Sequence, residues 1–272
     1  MKRLMNIEPS PALRWFLTLL PFIVLLFIYW VASDARLAAN PHDKLLPSFT
    51  QIADAVERYA FTENKRTGEY LFWQDSAASL YRIGLGITIS ALIGLLIGLS
   101  NGLLPTLRAG LSPFITIISL IPPMAILPIL FITFGLDELA KVMLIIIGTA
   151  PVIIRDMQSH VMQLPKEQLI KAQTLGASTW QVAIRVVLPQ IMPRLLASVR
   201  LSLGAAWLFL IAAEAIAAQE GLGYRIFLVR RYMSMDVIFP YVVWITILAF
   251  LMDFSLRKIS EVFYPWYHQG IK

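Results

Sequence analysis

The chain has 272 residues, 58% hydrophobic and only 15% charged, which is too apolar for an ordinary soluble domain and fits a polytopic membrane protein. It has no cysteine, which excludes disulfides and thiolate metal sites, and its three histidines (His42, His160, His268) are too scattered for a histidine metal cluster. The net charge of +6 is not gathered into a basic, aromatic-interleaved patch, so a nucleic-acid partner is not expected; the positive charge marks loops on the inner side of a membrane.

Residues 1–13 are short and carry Lys2 and Arg3. Residues 14–32 are an apolar run, and about 19 residues at ~1.5 Å each span a hydrocarbon core of ~30 Å. A cleaved signal peptide ending at the small-residue run Val31-Ala32-Ser33 is the rival; the length favours a retained helix, which Pro21 is expected to kink. Residues 35–73 carry both charge signs and an amphipathic helix over 49–59, and read as an external segment lying on the membrane or on a partner subunit. Residues 75–82 lead, already helical, into a second span over 83–104. There small residues recur every fourth position: Gly86, Ser90, Gly94, Gly98 and Gly102. Such a stripe either admits another helix backbone or lines a pore, and packing is the commoner use.

A tight turn with Arg108 is expected over 103–110. The third span, 111–134, is interrupted at Ile121-Pro122-Pro123 and at Pro128. Adjacent prolines remove backbone donors, and irregular backbone at membrane depth is tolerated only inside protein or beside a water-filled cavity. Pro122 and Pro123 are therefore candidates for a translocation path, with a packed kink as the alternative. A short external turn with Asp137 and Glu138 precedes a fourth span over 141–154, expected to break at Gly148 and Pro151.

Residues 155–194 form the longest polar-containing stretch on the side that the charges make inner. The spacing predicts a helix over 166–175 with Pro165 at its start and Gly176 as its stop. Ser178 and Gln181 form a capping-box pattern for a second helix, whose apolar face is Trp180, Ala183, Ile184 and Val187. Pro189 and Pro193 are expected to bend the chain back. A fifth span over 195–218 holds Trp207 and Glu214, 219–236 is external, 237–252 is the sixth span, and 253–272 is a tail.

Six spans place both termini on one side. That side carries 13 Lys/Arg, against five in the first outer loop and three in the last, so both termini and the 155–194 loop are expected in the cytoplasm. There is no GxxxxGK[ST] and no Gly-Lys pair, so no phosphate-cradling loop; neither HExxH, GxSxG nor an activated carboxylate pair occurs. These gaps favour a conduit over an enzyme. Glu214 is the acid deepest in a span, where ionisation costs on the order of 3 kcal/mol. It either lines the path or locks to a neighbouring helix. Arg82 reads as an interface anchor or salt-bridge partner, and Trp207 either lines a pocket or simply packs.

The loop residues Ile170-Lys171-Ala172, Gly176-Ala177-Ser178, Leu188-Pro189 and Pro193 resemble the cytoplasmic loop of bacterial ABC importer permeases. That loop has the pattern EAA, three residues, Gly, then a downstream Leu-Pro; Ile170 and Lys171 depart from its Glu and Ala. Ser79-Leu80-Tyr81-Arg82, Pro122-Pro123 to Leu127-Pro128, Phe134-Gly135, Ala212-Ala213-Glu214 and Gly221-Leu222-Gly223-Tyr224 are similar to the nitrate/taurine/sulfonate branch, over roughly 73–256. The linker Lys65-Arg66-Thr67-Gly68-Glu69-Tyr70-Leu71-Phe72-Trp73 is similar to urea-carboxylase- or guanidine-associated members.

The resemblance implies an all-α, type I ABC importer permease fold in a bacterial inner membrane. Residues 1–72 would form an N-terminal helix and linker, 73–256 a five-helix core with the coupling loop 155–194, and 257–272 a tail. It implies a second permease subunit, as a homodimer or with a paralogue, two cytoplasmic ATPase subunits and an external solute-binding protein. The ATPase-coupling residues would be Leu169, Ile170, Lys171, Ala172, Leu175, Gly176, Ala177, Ser178, Trp180, Leu188 and Pro189, with Pro122, Pro123, Trp207 and Glu214 on the path. ATP and Mg would sit on the partner subunits, leaving this chain without a cofactor. The solute would be small and polar: sulfonate or taurine, nitrate, or urea- or guanidine-like. The rival class is an ion-gradient-driven secondary transporter, which would call for an internal repeat between the halves; none is evident.

Overall fold

A computed structural model describes residues 10–40, 43–64 and 68–269; Lys2, Arg3, His42, Lys65, Arg66, Thr67 and Lys272 lie outside the described residues. Every regular element among the described residues is helical. The order is α1 Pro11–Ala39, α2 Phe49–Val56 running into a π-helical turn Glu57–Phe61, α3 Leu71–Leu103, α4 Pro105–Leu120, α5 Pro123–Phe134 and α6 Glu138–Met162. There follow α7 Lys166–Thr174, α8 Thr179–Gln181 with a π-helical turn Val182–Val187, α9 Leu188–Ala217, α10 Leu222–Arg230, α11 Met235–Phe263 and α12 Pro265–Gln269.

Four helical stretches are long and apolar enough to cross a membrane: α1, α3, the continuous Thr179–Ala217 helix and α11. The pair α4/α5, bent by 95° at Ile121-Pro122, has the length and composition of a broken span or a re-entrant loop, and brings the total to five when taken as one span. That is one short of the six expected. The remaining segment is α6, 25 residues long, whose middle is buried against α3 and α9 and so faces protein in place of lipid.

The expected break in α6 does not occur: the helix is continuous through Gly148 and Pro151. Gly148 instead lets α9 approach, since a Cβ there would lie 2.2 Å from the Phe209 ring. The expected turn over 103–110 shrinks to Leu104, and Arg108 is helical. Pro189 and Pro193 do not redirect the chain either. Pro189 lies in the first turn of α9, just after the π-helical turn. A widened turn there accommodates a ring that would otherwise crowd the carbonyl four residues back.

The α3–α6 seam settles the use of the small-residue stripe. A Cβ on Gly86, Gly94, Gly98 or Gly102 would lie 2.4–2.8 Å from Ile145, Ile153, Met157 or Val161 respectively. Ser90 meets Thr149 through hydroxyls 2.8 Å apart. Each α6 partner lies 59 residues after its α3 counterpart, so the helices run parallel and in step. Between apolar helices the gain comes from close contact, which small residues permit.

The segment between α1 and α3 packs on this chain's own α11. Trp73 donates its indole N–H to Ala60 O at 3.0 Å, and Phe72 meets Tyr241 and Trp244 at 5.1 and 5.3 Å between ring centres. Helix α1 is peripheral and continuous across Pro21. It is attached near its C-terminal end, where the Tyr29 hydroxyl donates to Pro47 O at 2.7 Å and Ser33 to Leu46 O at 3.0 Å. Between α1 and α2, the Leu45 N–H and the Arg36 guanidinium hold the Asp43 carboxyl below its usual range.

Candidate functional site

Two regions at opposite ends of the bundle concentrate the unusual residues. At the loop end, α6 gives way to α7, a turn, and the restart at Ser178. Gly176 takes φ +83°, a conformation that glycine adopts without cost. The capping box forms as its sequence suggests: Gln181 N–H donates to Ser178 Oγ at 3.3 Å, and Ser178 N–H to Gln181 Oε1 at 2.8 Å.

This loop has an inner and an outer side. Leu169, Ala172 and Ala177 pack on a small core of Val161, Val182, Val187 and Ile191, with Leu99 and Leu103 from α3. Ile170, Lys171, Leu175, Gly176, Ser178 and Trp180 face outward; Leu175 is 88% and Trp180 74% exposed. The expected face of Trp180, Ala183, Ile184 and Val187 is therefore split. The buried stripe is Val182, Ala183, Val187 and Ile191, because the π-helical turn rotates the residues after it. Leu188 is half-buried and Pro189 exposed where α9 begins.

At the other end, Glu214 is fully buried near the end of α9. Arg82 Nη1 donates to its Oε1 at 2.7 Å, and the Ser79 hydroxyl lies 2.8 and 3.0 Å from its two oxygens. Gly223 N–H donates to Oε2 at 2.9 Å, and Leu222 N–H donates to Ser79 Oγ at 2.9 Å. Gly221, at φ +125°, has no room for a side chain: a Cβ would lie 2.6 Å from the Glu214 carboxyl and 2.7 Å from Arg82 Nη1. The carboxylate thus caps the start of α10 and ties it to α3.

The ties continue outward. Arg82 also donates to Glu220 O at 2.9 Å and forms a two-point pair with Glu138, which Lys141 joins at 2.8 Å. Alongside, Asp75 accepts from Gly221 N–H at 2.8 Å, from Arg225 Nε at 2.7 Å and from the Tyr241 hydroxyl at 3.1 Å. Four carboxylates (Asp75, Glu138, Glu214 and, 3.8 Å from Arg82, Glu220) meet three cations (Arg82, Lys141, Arg225), and the two fully buried acids, Asp75 and Glu214, each have an arginine partner. Buried charges survive when paired and hydrogen-bonded in this way.

Arg82 is accordingly a salt-bridge partner. Glu214 presents no surface of its own, and Trp207, 4% exposed, sits in the main core beside Leu203 and Leu210. Pro122 is exposed and Pro123 half-buried at the 95° bend. Sequence reasoning missed Asp75, Ser79, Arg225 and Tyr241 as members of the cluster. The available signal was the spacing of Asp75, Ser79 and Arg82, which puts three polar residues on one helical face at i, i+4, i+7.

The family model of binding-protein-dependent transport system inner membrane components matches residues 90–269. The chain is 33% identical over 244 residues to the taurine transport system permease protein TauC of Escherichia coli, covering 90% of this chain and 87% of that one. It is 29% identical over 257 residues to the putative aliphatic sulfonates transport permease SsuC of the same species, covering 94% and 95%. It is 31% identical over 198 residues to the bicarbonate transport system permease CmpB of Synechococcus elongatus, covering 72% and 70%. Its fold is similar to a chain of the inward-facing MetNI methionine ABC transporter, with TM-score 0.55 at 20% identity, covering 71% of this chain and 94% of that one.

Proposed function

The chain belongs to the binding-protein-dependent transport system inner membrane components and is a multi-pass permease subunit of an ATP-driven importer; from that premise we propose how it couples, what it carries and what it assembles with. The outward side of the 166–180 loop is the coupling surface. Leu175, Trp180 and Ile170 insert into a groove on a cytoplasmic ATPase subunit, and Lys171 adds a charge at the rim. Leu169, Ala172 and Ala177 hold the loop to the bundle, so movement of the ATPase is passed to α6 and α9. Leu188 and Pro189 stiffen the start of α9. The observation that carries this reading is a pair of large apolar side chains, 88% and 74% exposed, on a loop whose inner side is firmly packed.

In the assembly, two permease subunits, alike or paralogous, meet two ATPase subunits and an external solute-binding protein. ATP and Mg bind on the ATPase subunits, and this chain carries no cofactor and no catalytic centre. Both termini lie in the cytoplasm. The solute is small and polar, and the taurine, sulfonate and bicarbonate relatives point to an oxyanion. Pro122 and Pro123 line the path at the bend. Glu214 is a structural lock that fixes α10 against α3 and α9, and Trp207 is a packing residue.

The test is co-purification. Leu175→Asp with Trp180→Ala should abolish capture of the ATPase subunit and ATP-dependent uptake, while the melting temperature of the permease changes by less than about 2 °C, as for exposed substitutions. Full capture with normal uptake would refute the coupling surface.

A further inference from the structure

Between α4 and α6, toward the loop end, lies a cavity of about 310 Å³ whose polar lining is Ser112, Thr116, Arg155, Gln158 and Ser159. Its size is at the low end of small-molecule pockets. None of these residues belongs to the coupling surface or to the buried ion cluster.

The hydrogen-bond bookkeeping gives the cavity its chemistry. Gln158 Oε1 already accepts from Ser112 Oγ at 2.9 Å and from Asn101 Nδ2 at 3.4 Å, so the free end of Gln158 is its NH₂. The Ser159 hydroxyl accepts from Gln163 Nε2 at 3.2 Å and keeps its own proton to donate. Arg155 donates one N–H, from Nη1, to Ser119 Oγ at 3.0 Å, which anchors the guanidinium to α4 and leaves four others. No carboxylate lines the cavity. The neighbouring Asp156 is engaged by Ser198 and by His160, and among the described residues Arg155 has no ion-pair partner.

Spare donors, one anchored guanidinium and no competing acid make a site for a negative group with several acceptor oxygens. A bare interfacial arginine would reach into water without a tie to a second helix, and would need no donors around it. Residue 155 lies about 26 Å along α6 from Glu138, near the inner edge of a hydrocarbon core of ~30 Å. At that depth an oxyanion can come from either of two sources: the transported solute on its way out, or the phosphate of a lipid headgroup.

We propose that the Arg155 cavity binds an oxyanion group of the sulfonate or phosphate type. The solute source rests on the permease reading above; the lipid source does not. The test uses the permease purified with its ATPase subunits and with no binding protein. Methanesulfonate is titrated against chloride at constant ionic strength, and phosphatidylglycerol is titrated separately, while the thermal midpoint is followed. At least one of the two should raise the midpoint saturably. Arg155→Gln should weaken that response at least tenfold, and Gln158→Leu, which keeps the charge, about threefold. A response to methanesulfonate assigns the solute source, and a response to the lipid alone assigns the headgroup. Equal responses of wild type and Arg155→Gln to both probes overturn the site. Retention of the ATPase subunit by Arg155→Gln is scored in the same preparation, so failure of the anion site and failure of the permease reading are distinguished.

Discussion

Replacing Glu214 by Gln separates a lock from a path residue. The carboxylate receives donors on both oxygens: Arg82 and Ser79 at one end, Gly223 N–H at the other. A glutamine amide can satisfy only one end. Its NH₂ must face either the Arg82 guanidinium or the Gly223 N–H, a donor against a donor. One charge-assisted hydrogen bond is lost, costing about 1.5–3 kcal/mol, and a buried donor is left unpaired, costing about 1–3 kcal/mol more. The sum, roughly 3 kcal/mol or more, agrees with the cost of breaking a buried ion pair. At about 2–4 °C per kcal/mol for a domain of 150–250 residues, the melting temperature should fall by about 6–12 °C. Uptake measured well below that temperature should stay within about threefold of wild type. The assay is a thermal-unfolding scan of the purified permease beside vesicle uptake. A variant that melts within about 2 °C of wild type yet loses uptake tenfold would refute the lock. Should Glu214→Gln fail to accumulate, Ser79→Ala removes one hydroxyl of the same cluster and should cost about 1 kcal/mol.

Three further changes test the packing. Gly94→Ala places a Cβ 2.4 Å from Ile153 and should destabilise by about 1–3 kcal/mol, whereas Gly84→Ala, with nothing within 4 Å, should shift stability by less than about 1 kcal/mol in thermal scans. Gly221→Ala meets both a forbidding φ of +125° and the Glu214 carboxyl, so its loss of thermal stability should exceed that of Gly84→Ala by at least about 2 kcal/mol. Tyr241→Phe deletes the hydroxyl 3.1 Å from Asp75 and should cost about 1 kcal/mol, read as a fall of roughly 2–4 °C.

Local devices were legible because their physics is local. The Ser178–Gln181 capping box, the Gly176 stop and the four-residue stripe on α3 each act within a few turns, and each forms. Opposed partners were not legible. Arg82 and Glu214 are 132 positions apart, and nothing in either neighbourhood says which cation meets which acid. Prolines misled in one direction. Pro128, Pro151 and Pro193, each expected to break or bend the chain, sit inside unbroken helices, while Pro122 marks a 95° bend where a break was expected. A ring removes one donor, but whether the axis turns depends on what encloses it: α6 is clasped on two sides, and the α4–α5 junction is open. The split of the Trp180 face came from a π-helical turn, whose extra residue per turn leaves no mark in hydrophobic spacing.

The α3–α6 seam carries an ambiguity that its close fit conceals. Holes and knobs both recur every fourth residue, so sliding one helix past the other by a single turn would bring Gly94 against Met157 or Thr149 and still find a hole each time. Apolar complementarity alone therefore admits several alignments of nearly equal merit. Polar pairs break the tie: Ser90 with Thr149 at the middle, Asn101 with Gln158 near one end, Arg82 with Glu138 at the other. A one-turn slip would strand all three, much as a single buried asparagine selects one alignment in a coiled coil. In this seam the glycines set how near the helices lie, and a handful of hydroxyl, amide and ionic contacts decide which of the equivalent notches they occupy.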